Sequence, residues 1–303
     1  LSMINYIKRK DLEVVKYNAC IENAMQSRVS AFSWYLDIVA DNWDVLVMND
    51  YKAVMPIPWR KKFGIKYIYP PLWLIQLGIY SIEKENEDAF LKMLLSNFRF
   101  FETRTNSKNY FSVFKEYQQK RDIQVLDLKQ PYETMLSRFR RDRKKDLRKA
   151  KRSELNMKIE NNLDKFINLY KLNVGKKVKK IKEIDYNNLK LLITACIDKK
   201  KGEILSVYDG EGNLVAAGFF LKDKERVVKL VSSTDYNNRK NGANTFLIEK
   251  AVRKYYEAFD LFDFGGSSVK SIASFNLSFG AHTENYLQLK YNGLPKILKI
   301  FKK

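Results

Sequence analysis

The stretch DYNNRKNGANTFLIEKAV, Asp235 to Val252, sets an Asn-Gly turn directly ahead of a helical segment expected over Asn244–Ala258. A glycine-bearing turn that opens a helix leaves backbone N–H groups without intrahelical partners, and the helix dipole favours negative charge there. Such a dipole contributes roughly 0.3–1 kcal/mol, so it holds a ligand only together with direct N–H bonds. Two readings stand: an anion seat built by Arg239, Asn241, Gly242, Ala243 and Asn244, or an ordinary turn before an ordinary helix.

The next stretch, LFDFGGSSVKSIASFNLSFGAH from Leu261 to His282, reads as a buried strand, paired glycines, a helix from Ser268 to Phe279 and a closing glycine. Three chemistries end strands this way: a dinucleotide fold, a kinase-like metal site and an acyl-transfer cleft. The order of elements further out decides among them. Before Asp235 lie a strand near Met157–Glu160 and helices at Leu163–Leu172 and Tyr186–Asp198. A meander follows: Glu203–Tyr208, Asn213–Leu221 and Val227–Ser233, and the chain's last strand is expected at Tyr286–Tyr291. A doubly wound dinucleotide fold alternates strand and helix from its start, which three successive strands do not. The kinase-like reading of Asp263-Phe264-Gly265 lacks a His-Arg-Asp loop and a Gly-rich loop with its strand lysine.

The first half is a separate compositional unit. Strands are expected at Trp43–Met48, Tyr51–Pro58, Ile65–Tyr69, Phe98–Glu102, Tyr110–Tyr117 and Ile123–Asp127, with a helix over Glu85–Asn97 carrying Phe90, Leu91, Leu94 and Leu95 at helical spacing. With 303 residues and 45% hydrophobic content, the chain supports two cored domains, expected at residues 1–128 and 129–303. From Pro131 a helix is expected to carry Tyr132, Met135, Leu136, Phe139, Leu147 and Ala150 on one face.

A net charge of +21 points to anionic partners: nucleic acid, a phosphorylated ligand or an acidic membrane face. The same charge also fits lysines that are merely solvated. Cys20 and Cys196 stand apart with no CxxC neighbour, so buried free thiols and a cytoplasmic location are expected. The single His282 removes any histidine metal cluster and most Ser-His-Asp schemes, so no metal is expected. No apolar run is long enough for a membrane span and the start does not read as a signal peptide, the opening Leu-Ser being expected to be a remnant before Met3.

This order of elements resembles the GNAT acyltransferase fold, most sharply in Asp235–Val252. There Arg239 and Gly242 match the Gln/Arg-x-x-Gly-x-Gly/Ala loop that holds the coenzyme A pyrophosphate, while Asn244 departs from it. Two such units with SRFRRDRKKDLRKAKR, Ser137–Arg152, ahead of the second are similar to the FemAB-like branch. Those proteins carry tandem GNAT-like domains, each a mixed, mostly antiparallel sheet flanked by helices, and attach amino acids from aminoacyl-tRNA to peptidoglycan precursors. FSWYLDIVADNWDVLVMNDYKAVMPIPW (Phe32–Trp59) and PPLWLIQLGIYS (Pro70–Ser81) look like GNAT-like proteins of undefined substrate found in Bacteroidetes.

What the resemblance implies is an N-acyltransferase with α/β tandem GNAT domains, an amine acceptor bound between them, and acyl-CoA or aminoacyl-tRNA as donor. Acyl-CoA is the expected co-substrate, because Arg239 to Gly242 keeps part of the loop and no coiled-coil arm for tRNA is evident. The splayed strand near Val231, Ser232 and Ser233 is expected to offer a backbone N–H to the carbonyl oxygen. The last helix of GNAT enzymes often carries a proton-donating Tyr, and FemAB-like enzymes a Phe-Lys pair, where this chain has Phe275 and Asn276. Asn276 can donate a hydrogen bond to an oxyanion but cannot act as an acid, and a packing role stands beside that one.

Asp263 either orients an amine or caps the following helix, and Gly265 and Gly266 would let backbone approach a ligand. The Arg138–Arg152 segment reads as phosphate contact, with tRNA among the ligands, or as a solvated face. Arg143 falls within the apolar stripe between Phe139 and Leu147, where it needs a specific anion, an internal carboxylate being the usual one. Trp73 and Gln76, after two prolines, are candidates for an acceptor groove. The terminal NGLPKILKIFKK reads as a short helix docked on the second domain, or touching an anionic membrane. The rival function is a GNAT-fold binding protein for a phosphorylated ligand or RNA that has lost turnover.

Overall fold

The computed structural model describes residues 3–295 except 161, 179, 180, 238, 267 and 268, and the side chain of Arg239 lies outside that description. The chain divides into two units, Leu1–Arg121 with Asn285–Lys303, and Asp122–Glu284.

The first unit contains β1 (Ile4–Lys8), α1 (Val14–Asn23), α2 (Ser33–Val39), β2 (Trp43–Met48), β3 (Ala53–Lys62), β4 (Ile65–Ile68), β5 (Tyr80–Ser81), α3 (Glu87–Asn97) and β6 (Phe100–Arg104). β3 pairs with β2 along one edge, while the other edge meets β5 at Ala53–Val54 and β4 from Trp59 onward. Pro56 and Pro58 fall between those two ladders, where a strand tolerates a missing N–H. The turn from β2 to β3 holds Asn49, Asp50 and Tyr51 at φ of 48°, 50° and 66°. The core gathers Phe90, Leu91 and Leu94 of α3 with Met55, Phe101 and Phe111.

One expected strand is absent. At Tyr110–Tyr117 the chain is irregular and ends in a 3-10 turn at Lys115–Tyr117. The amide of Ser112 donates to Asp88 Oδ1 at 2.7 Å, and that of Tyr110 to Glu87 Oε2, so carboxylates of the first turn of α3 take bonds a ladder would need.

The second unit follows β7 (Gln118–Asp127) with α4 (Tyr132–Ser137), α5 (Arg141–Arg152), β8 (Asn156–Ile159), α6 (Leu163–Leu172), α7 (Glu183–Asp198), β9 (Gly202–Tyr208), β10 (Leu214–Lys222), β11 (Arg226–Thr234), α8 (Ala243–Tyr255), β12 (Leu261–Asp263) and α9 (Lys270–Leu277). Its strands run in the order β7-β12-β11-β10-β9-β8, with β11 and β12 parallel and the other neighbours antiparallel. β10 is buried without alternation from Val215 to Leu221, as a strand covered on both faces must be. Ala216 and Phe220 share a core with Leu247, Ile248 and Ala251 of α8.

The helix expected from Pro131 is two helices. Between them Phe139 turns inward to meet the Phe279 ring at 5.0 Å, and the Arg140 amide donates to Ser278 O at 2.9 Å. The domain boundary differs as well. The final strand β13 (His282–Asn292) was expected in the second domain, but its residues Gln288–Asn292 form an antiparallel ladder with Arg104–Phe100 of the first unit. Both cysteines are buried and unpaired, and burial pushes the Cys20 thiol up to about 12. No helix among the described residues is long and apolar enough to cross a membrane.

Candidate functional site

A cleft of about 440 Å³ opens in the second unit between β11, the first turn of α8, α5 and α9. Its origin is a short strand. β12 has only three residues, so β11 is paired on that side from Arg226 to Val228 and no further. From Lys229 to Thr234 one edge of β11 faces the cleft, and a bulge at Leu230 shifts its register against β10. Bulges re-aim side chains beside binding sites, and here the bulge adjoins Lys229.

Six of the residues singled out in the sequence line this cleft: Arg143, Ser232, Ser233, Gly242, Asn244 and Asn276. Ser233 is committed elsewhere, since its hydroxyl donates to Leu169 O at 3.2 Å and ties β11 to α6. Asn276 is fully buried, and its Nδ2 donates to Gln124 Oε1 at 3.2 Å. Its Oδ1 has no hydrogen-bond partner. The expectation of a donor to an oxyanion is therefore corrected: the free atom of Asn276 is an acceptor.

Arg143 finds the internal carboxylates that the bland reading allowed. Nη1 donates to Thr245 Oγ1 at 2.7 Å and pairs with Asp146 Oδ2 at 3.0 Å, while Nη2 reaches Asp142 Oδ2 at 3.2 Å. The guanidinium lies 4.8 Å from the centre of the Phe275 ring, and its Nε is buried without a partner.

The turn before α8 is less open than its sequence suggests. Gly242 holds φ of 83°, and a Cβ there would stand 2.3 Å from the Asp146 carbonyl of α5. Asn241 Oδ1 already accepts from the Ala243 amide at 3.0 Å, and Asp146 Oδ2 accepts from Thr245 Oγ1 at 3.0 Å. A carboxylate thus faces the helix end where the dipole favours an anion. Asn241 and Ala243 do not line the cleft, and the Arg239 side chain lies outside the described residues. Because a backbone carbonyl cannot swing aside, Gly242→Ala should destabilise the protein by about 1–3 kcal/mol. Urea melts of the two proteins measure this, and an unchanged midpoint would contradict the packing.

Other expectations are corrected. Asp263 is a buried structural ion: Oδ2 lies 3.1 Å from Nη1 of Arg226, itself paired with Glu284 Oε1 at 3.1 Å, and Oδ1 accepts from the Gly265 amide at 2.8 Å. It caps that turn, not α9. Gly265 and Gly266 adopt φ of 82° and 64°, and a Cβ on Gly266 would meet Ile123 Cγ2 at 2.6 Å, so the close approach is to the protein's own core. Val231 is buried and does not line the cleft. Trp73 and Gln76 lie in the first unit. Gln76 is buried there, and the Trp73 carbonyl accepts from the Tyr35 hydroxyl. The helix start at Ser268 and the terminal segment from 296 onward fall outside the described residues. Among the described residues no group of acidic, Cys and His side chains could hold a metal.

Sequence reading missed Lys229. It lines the cleft half-buried, with Nζ 5.5 Å from the centre of the Phe264 ring and no hydrogen-bond or ion-pair partner among the described residues. Burial pushes its ammonium down to about 8, against the opposing pull of the Asp263 carboxylate. A lysine inside the apolar run Val227–Val231 was the available signal.

Residues 137–270 match the family model described as an acetyltransferase (GNAT) domain. The mixed, mostly antiparallel sheets with flanking helices are those of tandem GNAT-like proteins. FemX is similar over 99% of this chain and 100% of its own, with a TM-score of 0.68 and 10% identity. L-PGS from Bacillus licheniformis is similar over 95% and 94%, with a TM-score of 0.59 and 10% identity. A tandem GNAT protein from the clavulanic acid biosynthesis pathway covers 97% and 100%, with a TM-score of 0.55 and 8% identity. Among curated proteins nothing matches.

Proposed function

We propose that this protein is an acyltransferase that moves an aminoacyl group from a ribose ester on RNA to an amine held in the cleft of its second unit. The observation that carries the reading is the cleft itself. In it an unpaired strand edge meets two buried polar atoms without partners, Arg143 Nε and Asn276 Oδ1, and the half-buried Lys229 ammonium, which makes no ion pair among the described residues. Unpaired buried polar atoms are costly, and a substrate that supplies their hydrogen bonds removes that cost. The open edge of β11 offers backbone N–H groups to a carbonyl oxygen as it becomes an oxyanion.

α5 supports RNA as the donor. Coenzyme A is less favoured at the turn before α8, where a pyrophosphate would meet the Asp146 carboxylate bonded to Thr245 and find the Ala243 amide already bonded to Asn241. The outer face of α5, in contrast, exposes Arg141, Lys144, Lys145, Arg148, Lys151 and Arg152. That array suits a polyanion with phosphates at intervals. The folds of FemX and L-PGS are similar over 99% and 95% of this chain, and the FemAB-like resemblance implies the same donor class.

Total tRNA charged with labelled amino acids, with hydroxylamine as acceptor, tests this. Hydroxamate should form faster than the uncatalysed reaction, and the rate should fall steeply, by roughly a thousandfold where six or more phosphates are contacted, between 50 and 200 mM salt. Turnover of acetyl-CoA without turnover of charged tRNA would overturn the donor assignment. Turnover of neither, with tRNA still raising the melting temperature, would favour the binding protein.

A further inference from the structure

Lys229 makes no hydrogen bond or ion pair among the described residues. The other charged groups around the cleft satisfy one another: Arg143 is held by Asp142 and Asp146 of α5, and Asp263 of β12 by Arg226 and the Gly265 amide. α8 and α9 bring only uncharged residues to the lining, among them Thr245 and Asn276. Among the described lining residues Lys229 is the cation that makes no ion pair; its Nζ lies 5.5 Å from the Phe264 ring centre, and Asn276 Oδ1, which lacks a donor, lines the same cleft. An ammonium left this way in low dielectric tends to shed its proton. An amine that titrates close to working pH is deprotonated for an appreciable fraction of the time and is suited to take a proton from a substrate.

Resting on the acyl-transfer reading, we propose that Lys229 Nζ and Asn276 Oδ1 form the acceptor subsite for a primary amine, with Lys229 as proton acceptor and Asn276 as the anchor of a remaining N–H. The substrate enters as an ammonium ion and gives one proton to Lys229. Its freed lone pair attacks the ester carbonyl carbon, forming the C–N bond. As the C–O bond to ribose breaks, the Lys229 ammonium protonates the departing oxygen and takes a second proton from the new nitrogen. Amide and ribose hydroxyl leave, and Lys229 returns its proton to water. Asn276 is oriented for its part by Gln124, which occupies its Nδ2 and leaves only the oxygen to face the substrate.

The test compares two acceptors on charged tRNA: n-butylamine, protonated at neutral pH, and hydroxylamine, already neutral there. Lys229→Met should lose about a hundredfold with butylamine and distinctly less with hydroxylamine, which needs no initial deprotonation but still draws on Lys229 as the C–O bond breaks. Lys229→Arg should not restore the loss, since guanidinium does not give up its proton. Equal losses with both amines, or rescue by Arg, would assign Lys229 to charge stabilisation and overturn the proposal. A second measurement needs no donor: trace labelling of the wild-type protein with acetic anhydride, read by mass spectrometry across pH. Lys229 should label with a midpoint near 8, and a midpoint in the ordinary lysine range would also overturn it. Wild-type protein inert towards both amines, with the low labelling midpoint intact, would instead sink the acyl-transfer reading.

Discussion

Lys229→Met should melt later than the wild-type protein at pH 7, although it removes a residue placed at the centre of the site. The lysine is held as a half-buried ammonium without a partner, so no hydrogen bond is lost in the exchange. Burial lowers its proton affinity from 10.5 in the unfolded chain to about 8 in the folded one. Since one pKa unit corresponds to about 1.4 kcal/mol, the desolvated charge costs roughly 3 kcal/mol of stability below pH 8. The sign follows from proton counting. Between about pH 8 and 10.5 the unfolded chain binds more protons than the folded one, so this group makes stability rise with pH across that window. Above it both states are neutral and the difference vanishes. The Met variant should therefore be more stable by roughly 2–3 kcal/mol at pH 7 and lose that advantage by about pH 11, as chemical denaturation at several pH values would show. A variant less stable than wild type at pH 7 would mean that Lys229 has a partner that holds it. Groups kept for activity at the expense of stability are a common feature of enzyme sites.

The parts of this fold that were legible are those governed by local periodicity. α6 and β2 were read at their observed ends, and the meander of β9, β10 and β11 was placed within two residues. α1 and α2 were not read, although Tyr17, Cys20 and Ile21 mark a buried helical face. Reading failed wherever a long-range bond decides. The amides near Tyr110 are claimed by α3, Phe139 is drawn out of a helix by Phe279, and β13 joins the first unit through its ladder with β6.

The site divides in the same way. Arg143 was visible because a cation broke an apolar stripe, and Ser232, Gly242 and Asn276 because the element order placed them. Lys229 was not, since Val227–Ser233 read as a regular strand and a bulge leaves no mark in composition. Asp263 was misjudged for the opposite reason. An acid at a strand end before two glycines is a familiar site pattern, while the Arg226 that neutralises it sits 37 residues away.

That ion group gives the largest expected loss of stability. Arg226, Asp263 and Glu284 form a cluster in which the first two are almost fully buried, 5% and 3% exposed. Arg226 begins β11, Asp263 ends β12 and Glu284 lies near the start of β13, so one guanidinium joins residues of three strands. The surrounding carboxylates raise the guanidinium's proton affinity more than burial, the largest single influence, lowers it. Arg226→Met keeps much of the apolar stem but leaves two carboxylates facing each other without a cation. Removing one partner from a buried ion group costs about 3–5 kcal/mol, most of it the penalty of the stranded charge. The double variant Arg226→Met with Asp263→Asn should therefore be more stable than Arg226→Met alone, because the second change removes that charge. Equilibrium denaturation of the two single variants and the double variant yields the coupling directly. Simple addition of the two single losses would show that the three groups act independently. The pairing of β11 with β12 stops within two residues of Arg226, and the cleft begins at Lys229. The cluster therefore clamps the strands where they meet and leaves them open beyond. Loosening it should lower transfer activity in proportion to the loss of folded protein, while Lys229→Met should lower activity in a protein that has become more stable.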